Sequence, residues 1–127
     1  MHQTEGLRFE YDYFKATPNN NTPNELRLCL LSLSEYFPNL ATGVTTNPEK
    51  RYTFNYSSIG LPPKNSKGID HWGFYNGENY NQTTIPKIEY AGQILGAAER
   101  APDINKSKAG ILSRVTYPTG GFSEYTF

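Results

Sequence analysis

The sequence predicts a mainly β protein, with antiparallel strands and hairpins, long irregular loops and at most one short helix. Three observations carry that prediction. Ten Tyr and seven Phe in 127 residues suit pleated, half-buried surfaces. Nine Pro and eleven Gly supply many turns and leave little room for long helices. Several stretches alternate apolar and polar residues with a period of two, the repeat of a strand with one covered face.

The first such stretch is the clearest. Leu7, Phe9, Tyr11 and Tyr13 alternate with Arg8, Glu10 and Asp12, which puts the apolar residues on one face. "TPNNNTPN" (17–24) then reads as an exposed loop. Leu26, Leu28 and Leu30 form a second alternating run, whose apolar phase changes to Leu31 and Leu33. A β-bulge would produce that change, and so would burial of both faces. "PNLATGVTTNPEK" (38–50) reads as another loop. Tyr52, Phe54 and Tyr56 mark a third strand, with Arg51, Thr53 and Asn55 outward.

From Ser57 to Tyr90 the periodicity fails. Pro62, Pro63, Gly68, Gly73, Gly77 and Pro86 interrupt it, and a long irregular segment in a small domain is either functional or tied down by its own side chains. Further on, Asp103 can cap a helix of about two turns. Lys106 and Lys108 suit its C-terminal end and Gly110 its left-handed close.

The closing segment, 111–127, reads as a hairpin. A three-residue loop of Thr119, Gly120 and Gly121, with Gly121 in the left-handed bulge position, follows Pro118. It sets Pro118 opposite Phe122, Tyr117 opposite Ser123 and Val115 opposite Tyr125. Val115, Tyr117, Tyr125 and Phe127 then share one face, and Arg114, Thr116, Glu124 and Thr126 the other.

Composition limits the function. Twelve basic and twelve acidic residues balance to zero net charge, with no basic run to attract nucleic acid or an anionic membrane. No stretch is apolar for long enough to span a bilayer. Cys29 stands alone in an apolar run and reads as a small hydrophobe. The strand pattern starts almost at once and ends in another strand, so the chain reads as a single β-rich domain taken from a longer polypeptide. Within it, 1–36 holds the N-terminal strands and 50–127 the remainder. A strand ending mid-sheet invites self-association through unpaired edges.

No catalytic, metal-binding or cofactor site is expected. His2 and His71 have no ligand cluster near them in sequence. Asp70 or Asp103 with Glu89 or Glu99 offers only the carboxylate pairs that any such chain contains. Four glycosylation sequons, at Asn20, Asn55, Asn81 and Asn105, carry no weight in an Asn-rich chain.

The segment that demands an explanation is "DHWGFYNG" (70–77). It holds the only Trp and one of two His. Two readings compete. As a structural corner, Trp72 and Tyr75 insert into the core, Asp70 holds nearby backbone amides, and Gly73 and Gly77 permit tight turns. As a glycan platform, Trp72, Phe74, Tyr75 and Tyr80 stack on sugar rings while Asp70, Asn76 and Asn79 bond hydroxyls. The segment that forms either the corner or the alternative platform comprises Asp70, His71, Trp72, Gly73, Tyr75, Asn76 and Gly77. The corner is the preferred reading, because burial is the commoner fate of aromatic rings.

Three motifs in order complete the pattern: "RYTFNYSSIGLPP" with "DHWGFYNG", then Glu99-Arg100, then "GILSRVTYPTGG". From about residue 50 to 127 the chain resembles segments of the large bacterial surface and secreted proteins of the RHS/YD-repeat type. "FEYDYF" and "LRLCLLSLSEY" resemble them more loosely. The resemblance implies a structural role among Tyr-rich hairpins that wind into a shell, in the cell envelope or outside the cell. Its partner would be the remainder of the same polypeptide. No family catalytic residue has a counterpart here.

Overall fold

The computed structural model describes residues 6–38 and 45–127. His2 and the first five residues lie outside the described residues, as does 39–44 of the second expected loop. The fold is mainly antiparallel β. Strands β1 (Gly6–Lys15), β2 (Leu26–Pro38), β3 (Thr45–Tyr56), β4 (Ile88–Tyr90), β5 (Gln93–Leu95), β6 (Leu112–Thr116) and β7 (Phe122–Glu124) follow in chain order. Five form an open sheet in the order β1-β2-β3-β6-β7, and β4 pairs with β5. Two compact units result: Met1–Tyr13, Leu28–Tyr56 and Leu112–Phe127 in one, Phe14–Arg27 and Ser57–Ile111 in the other.

The five-stranded sheet frames the first unit. Ser32 faces Thr53 and Ser34 faces Arg51 across β2 and β3, while Phe54 faces Val115 across β3 and β6. Cross-strand partners share a face, so the two faces can be read directly. One carries Glu10, Ser32, Ser34 and Arg51. Ser32 Oγ donates to Glu10 Oε2 at 2.8 Å, Arg51 Nη2 to Glu10 Oε1 at 3.2 Å and Arg51 Nε to Ser34 Oγ at 3.3 Å. Ser34 is fully buried and Ser32 nearly so.

The opposite face carries Leu7, Phe9, Tyr11, Tyr13, Leu31, Leu33, Tyr52, Phe54, Val115 and Tyr117. On β1 every one of these apolar residues is exposed, whereas Arg8 and Glu10 between them are the more covered. On β1 the apolar side is thus the exposed one, while on the opposite face of the sheet the serines of β2 are buried. Cys29 and Ala98, with Pro62, are the buried apolar residues among those described.

Three details depart from the expectations. The loop expected over 38–50 is shorter, because β3 already begins at Thr45 and pairs with Pro38. Against β3, the register of β2 slips further along the strand, between Glu35 and Phe37. Pro48 lies in the part of β3 opposite that slip, and a residue without an N–H is accommodated where the ladder is interrupted. The helix is a single 3-10 turn, Lys106–Lys108. Asp103 does hold its entry, since its Oδ1 accepts from the amides of Asn105 and Lys106 at 2.8 and 3.1 Å. So short a turn cannot offset the cost of helix nucleation and goes no further.

The closing hairpin forms with a three-residue loop moved one residue upstream. Gly120 N donates to Tyr117 O at 3.0 Å, Tyr117 N donates to Gly121 O at 2.8 Å, and Gly120 has φ +85°. Pro118 therefore occupies the first corner of the turn, where its ring already fixes the required φ, and Gly120 rather than Gly121 takes the left-handed position. Val115 now faces Ser123 instead of Tyr125, and Arg114 faces Glu124. Because each partner moves by two residues, the faces survive: Val115, Tyr117 and Tyr125 remain together. Arg114 bonds Glu124 at 2.9 Å and lies 4.3 Å over the Phe122 ring.

Candidate functional site

The second unit contains "DHWGFYNG" and little regular structure, so its backbone groups need other partners. An antiparallel bridge between Ile69 and Tyr75 closes the corner. Within it Asp70 N donates to Phe74 O at 2.8 Å, Gly73 N to Asp70 O at 3.2 Å and Asn76 N to Gly68 O at 3.1 Å. Asp70 is 2 % exposed, and its Oδ1 accepts from the amides of both Trp72 and Phe74 at 2.9 Å. A single carboxylate thus fixes both sides of the bend, as expected of Asp in a turn.

Asn76 does the same work one step later. It is 4 % exposed. Its Nδ2 donates to the carbonyls of Glu99 and Ala101 at 3.2 and 3.1 Å, and its Oδ1 accepts from Glu78 N at 3.2 Å. Asn81 adds a two-way bond to the same segment: Nδ2 donates to Glu99 O at 2.9 Å and Oδ1 accepts from Glu99 N at 3.0 Å. These amides replace a strand ladder along 99–101.

Arg100 completes the arrangement. Nη1 donates to Thr84 O at 2.9 Å, Nε to Ile69 O at 3.3 Å, and Nη2 to Asp70 O. A planar guanidinium reaches three carbonyls from three directions in a way no ammonium can. Sequence reasoning singled out Arg100 only as half of an acidic-Arg pair in the resemblance. A lone Arg between Glu and Ala carries no signal of such a role.

The aromatic residues take the opposite course. Trp72 is 73 % exposed and meets His71 edge-on, with ring centroids 6.4 Å apart. Phe74 and Tyr80 are exposed too. Tyr75 is half-buried, its hydroxyl accepting from Asn79 Nδ2 at 3.0 Å. The expectation that Trp72 anchors the core is therefore corrected. The corner is held by Asp70, Asn76 and Arg100, whose hydrogen bonds serve the backbone groups that an irregular segment leaves unpaired.

The same geometry narrows the glycan platform. Asp70 and Asn76 face inward and are committed to backbone, so neither presents a free group beside the exposed rings. A polar cleft of about 330 Å³, lined by residues including Asn65, Ser66, Lys67, Asn79 and Gln82, lies in this unit. Pro118, Gly120 and Gly121 belong to the hairpin of the first unit. Among the described residues no three His, Cys, Asp or Glu gather as a metal would require, and no helix is long and apolar enough to cross a membrane.

Comparison with protein-family models, curated proteins and solved structures finds no match for this chain.

Proposed function

We propose that this chain is a non-enzymatic structural segment of a large bacterial envelope or secreted protein of the RHS/YD-repeat type. The observation that carries the reading is the apolar face of the sheet. Leu7, Phe9, Tyr11 and Tyr13 on β1, with Tyr117 and Tyr125 at the other side, stand exposed. A continuous apolar surface of this kind is an interaction surface rather than a solvent face. Its partner is the remainder of the same polypeptide, and β1 and β7, the outer strands of the sheet among the described residues, are where further strands would add. In the absence of that polypeptide, the edges drive self-association.

A double variant tests this. Phe9→Ser with Tyr11→Ser should leave the melting temperature within a few degrees, while binding of an apolar dye and concentration-dependent sedimentation both fall. A parent that neither binds dye nor associates would contradict the reading.

Glycan binding is the second reading, favoured by one observation: Trp72, Phe74 and Tyr80 are all exposed. A carbohydrate module would use these rings as stacking surfaces, with the polar cleft supplying amides.

A further inference from the structure

We propose that Asn76-Gly77 is a conformationally gated deamidation site, silent in the closed corner and one-way once the corner opens. It is the only Asn-Gly pair in the chain. Glycine places no Cβ beside its own nitrogen, so the Gly77 amide can approach the Asn76 side chain closely. In the reaction the Gly77 nitrogen gives up its proton to a water-derived base and attacks Asn76 Cγ. The Cγ–Nδ2 bond breaks as Nδ2 takes a proton back from the conjugate acid of that base and leaves as ammonia, and a five-membered imide remains. Water then opens the imide to aspartate or isoaspartate. No oxidant or cofactor enters.

The closed corner blocks the first step. The Asn76 side chain is fixed by three hydrogen bonds, to Glu99 O, Ala101 O and Glu78 N, and its own amide is held by Gly68 O. Departure of Nδ2 as ammonia requires both bonds that it donates, to Glu99 O and Ala101 O, to break. The approach to Gly77 is also covered: a Cβ placed there would lie 3.2 Å from Lys106 Cγ, so the lysine stem lies against this glycine. With Asn76 at 4 % exposure, water has little access to the reacting atoms.

The product makes the event one-way. Nδ2 is the donor to two carbonyls, and a carboxylate has no proton to give either. Closing the corner on aspartate would press an anionic oxygen against Glu99 O and Ala101 O, a buried mismatch with no compensating donor. Isoaspartate would also lengthen the backbone within the bend.

Asn65-Ser66 provides an internal reference, since Asn65 is exposed and precedes another small residue. Peptide mapping by mass spectrometry after incubation in mildly alkaline buffer, with and without urea, reads both sites. In urea Asn76 should convert before Asn65. In native buffer the order should reverse, with Asn76 slowed at least about tenfold, or about 1.4 kcal/mol of opening. Equal Asn76 rates in the two buffers would overturn the gating. Wild-type protein converted in urea and returned to native buffer tests the second half. It should melt lower than unconverted protein carried through the same cycle, and an unchanged melt would overturn the one-way step.

Discussion

Arg100 donates to the main-chain carbonyl of Asp70, thirty residues away in sequence, and not to its carboxylate. The carboxylate is already occupied by the amides of Trp72 and Phe74. Cation and anion thus work on the same bend from different sides, each satisfying backbone groups that no strand or helix reaches. The fold of this unit rests on that division.

Replacing Arg100 by Lys keeps the charge and loses the fork. Only one of the carbonyls of Ile69, Asp70 and Thr84 can then be served well. Arg100→Lys should cost about 1.5–3 kcal/mol in denaturant unfolding, the range for hydrogen bonds to a charged group. A cost near zero would mean the carbonyls find water equally well.

At Asp70 the comparison of two variants separates charge from acceptor geometry. Asp70→Ala strips two amides of their acceptor and should destabilise by about 1–3 kcal/mol. Asp70→Asn retains an oxygen in the same place and should cost clearly less. Equal losses would show that the negative charge, not the acceptor, matters.

Gly68 is a buried point of close approach. A Cβ there would fall 2.9 Å from both C and O of Glu78, which are backbone atoms unable to swing aside. Gly68→Ala should therefore cost about 1–3 kcal/mol by overpacking, measured by thermal or denaturant melting.

In the first unit Tyr56 makes stability pH-dependent. Burial raises its pKa above the ordinary 10.0 and the nearby Cys29 raises it further, while its hydroxyl donates to Leu30 O at 2.8 Å. The folded state therefore holds the phenolic proton more tightly than the unfolded state. The sign follows: this contribution is complete below about pH 10 and is lost as pH rises through the folded value. Tyrosinate absorbance should show one tyrosine titrating late, a component missing in Tyr56→Phe.

Much of the sheet was legible because period two is a strong signal. Leu7 to Tyr13 and Tyr52 to Tyr56 fall in β1 and β3 as their alternation implies. The alternation could not say which face would be covered, and on β1 it is the polar one. At the closing hairpin the loop length was readable, but two adjacent glycines left its position ambiguous by one residue, and Pro118 decides it. The β4–β5 hairpin went unread because its turn is Ala91-Gly92, both with positive φ, and Ala gives no warning of that conformation. In the corner, Asp70 was readable from turn chemistry. The inward course of Asn76, the reach of Arg100 and the exposure of Trp72 depend on contacts between 68–76 and 84–101, which no local pattern encodes.

Trp72 is the chain's single tryptophan, so its fluorescence reports on the corner alone. Emission maximum and acrylamide quenching, with and without a panel of bacterial and plant glycans, test the central claim most directly. A polar-held corner in a structural segment predicts red-shifted, readily quenched emission that no glycan alters, and a Trp72→Ala variant within about 0.5 kcal/mol of the parent. Blue-shifted, protected emission would contradict the polar corner, and protection by one glycan would replace the structural reading with a binding module.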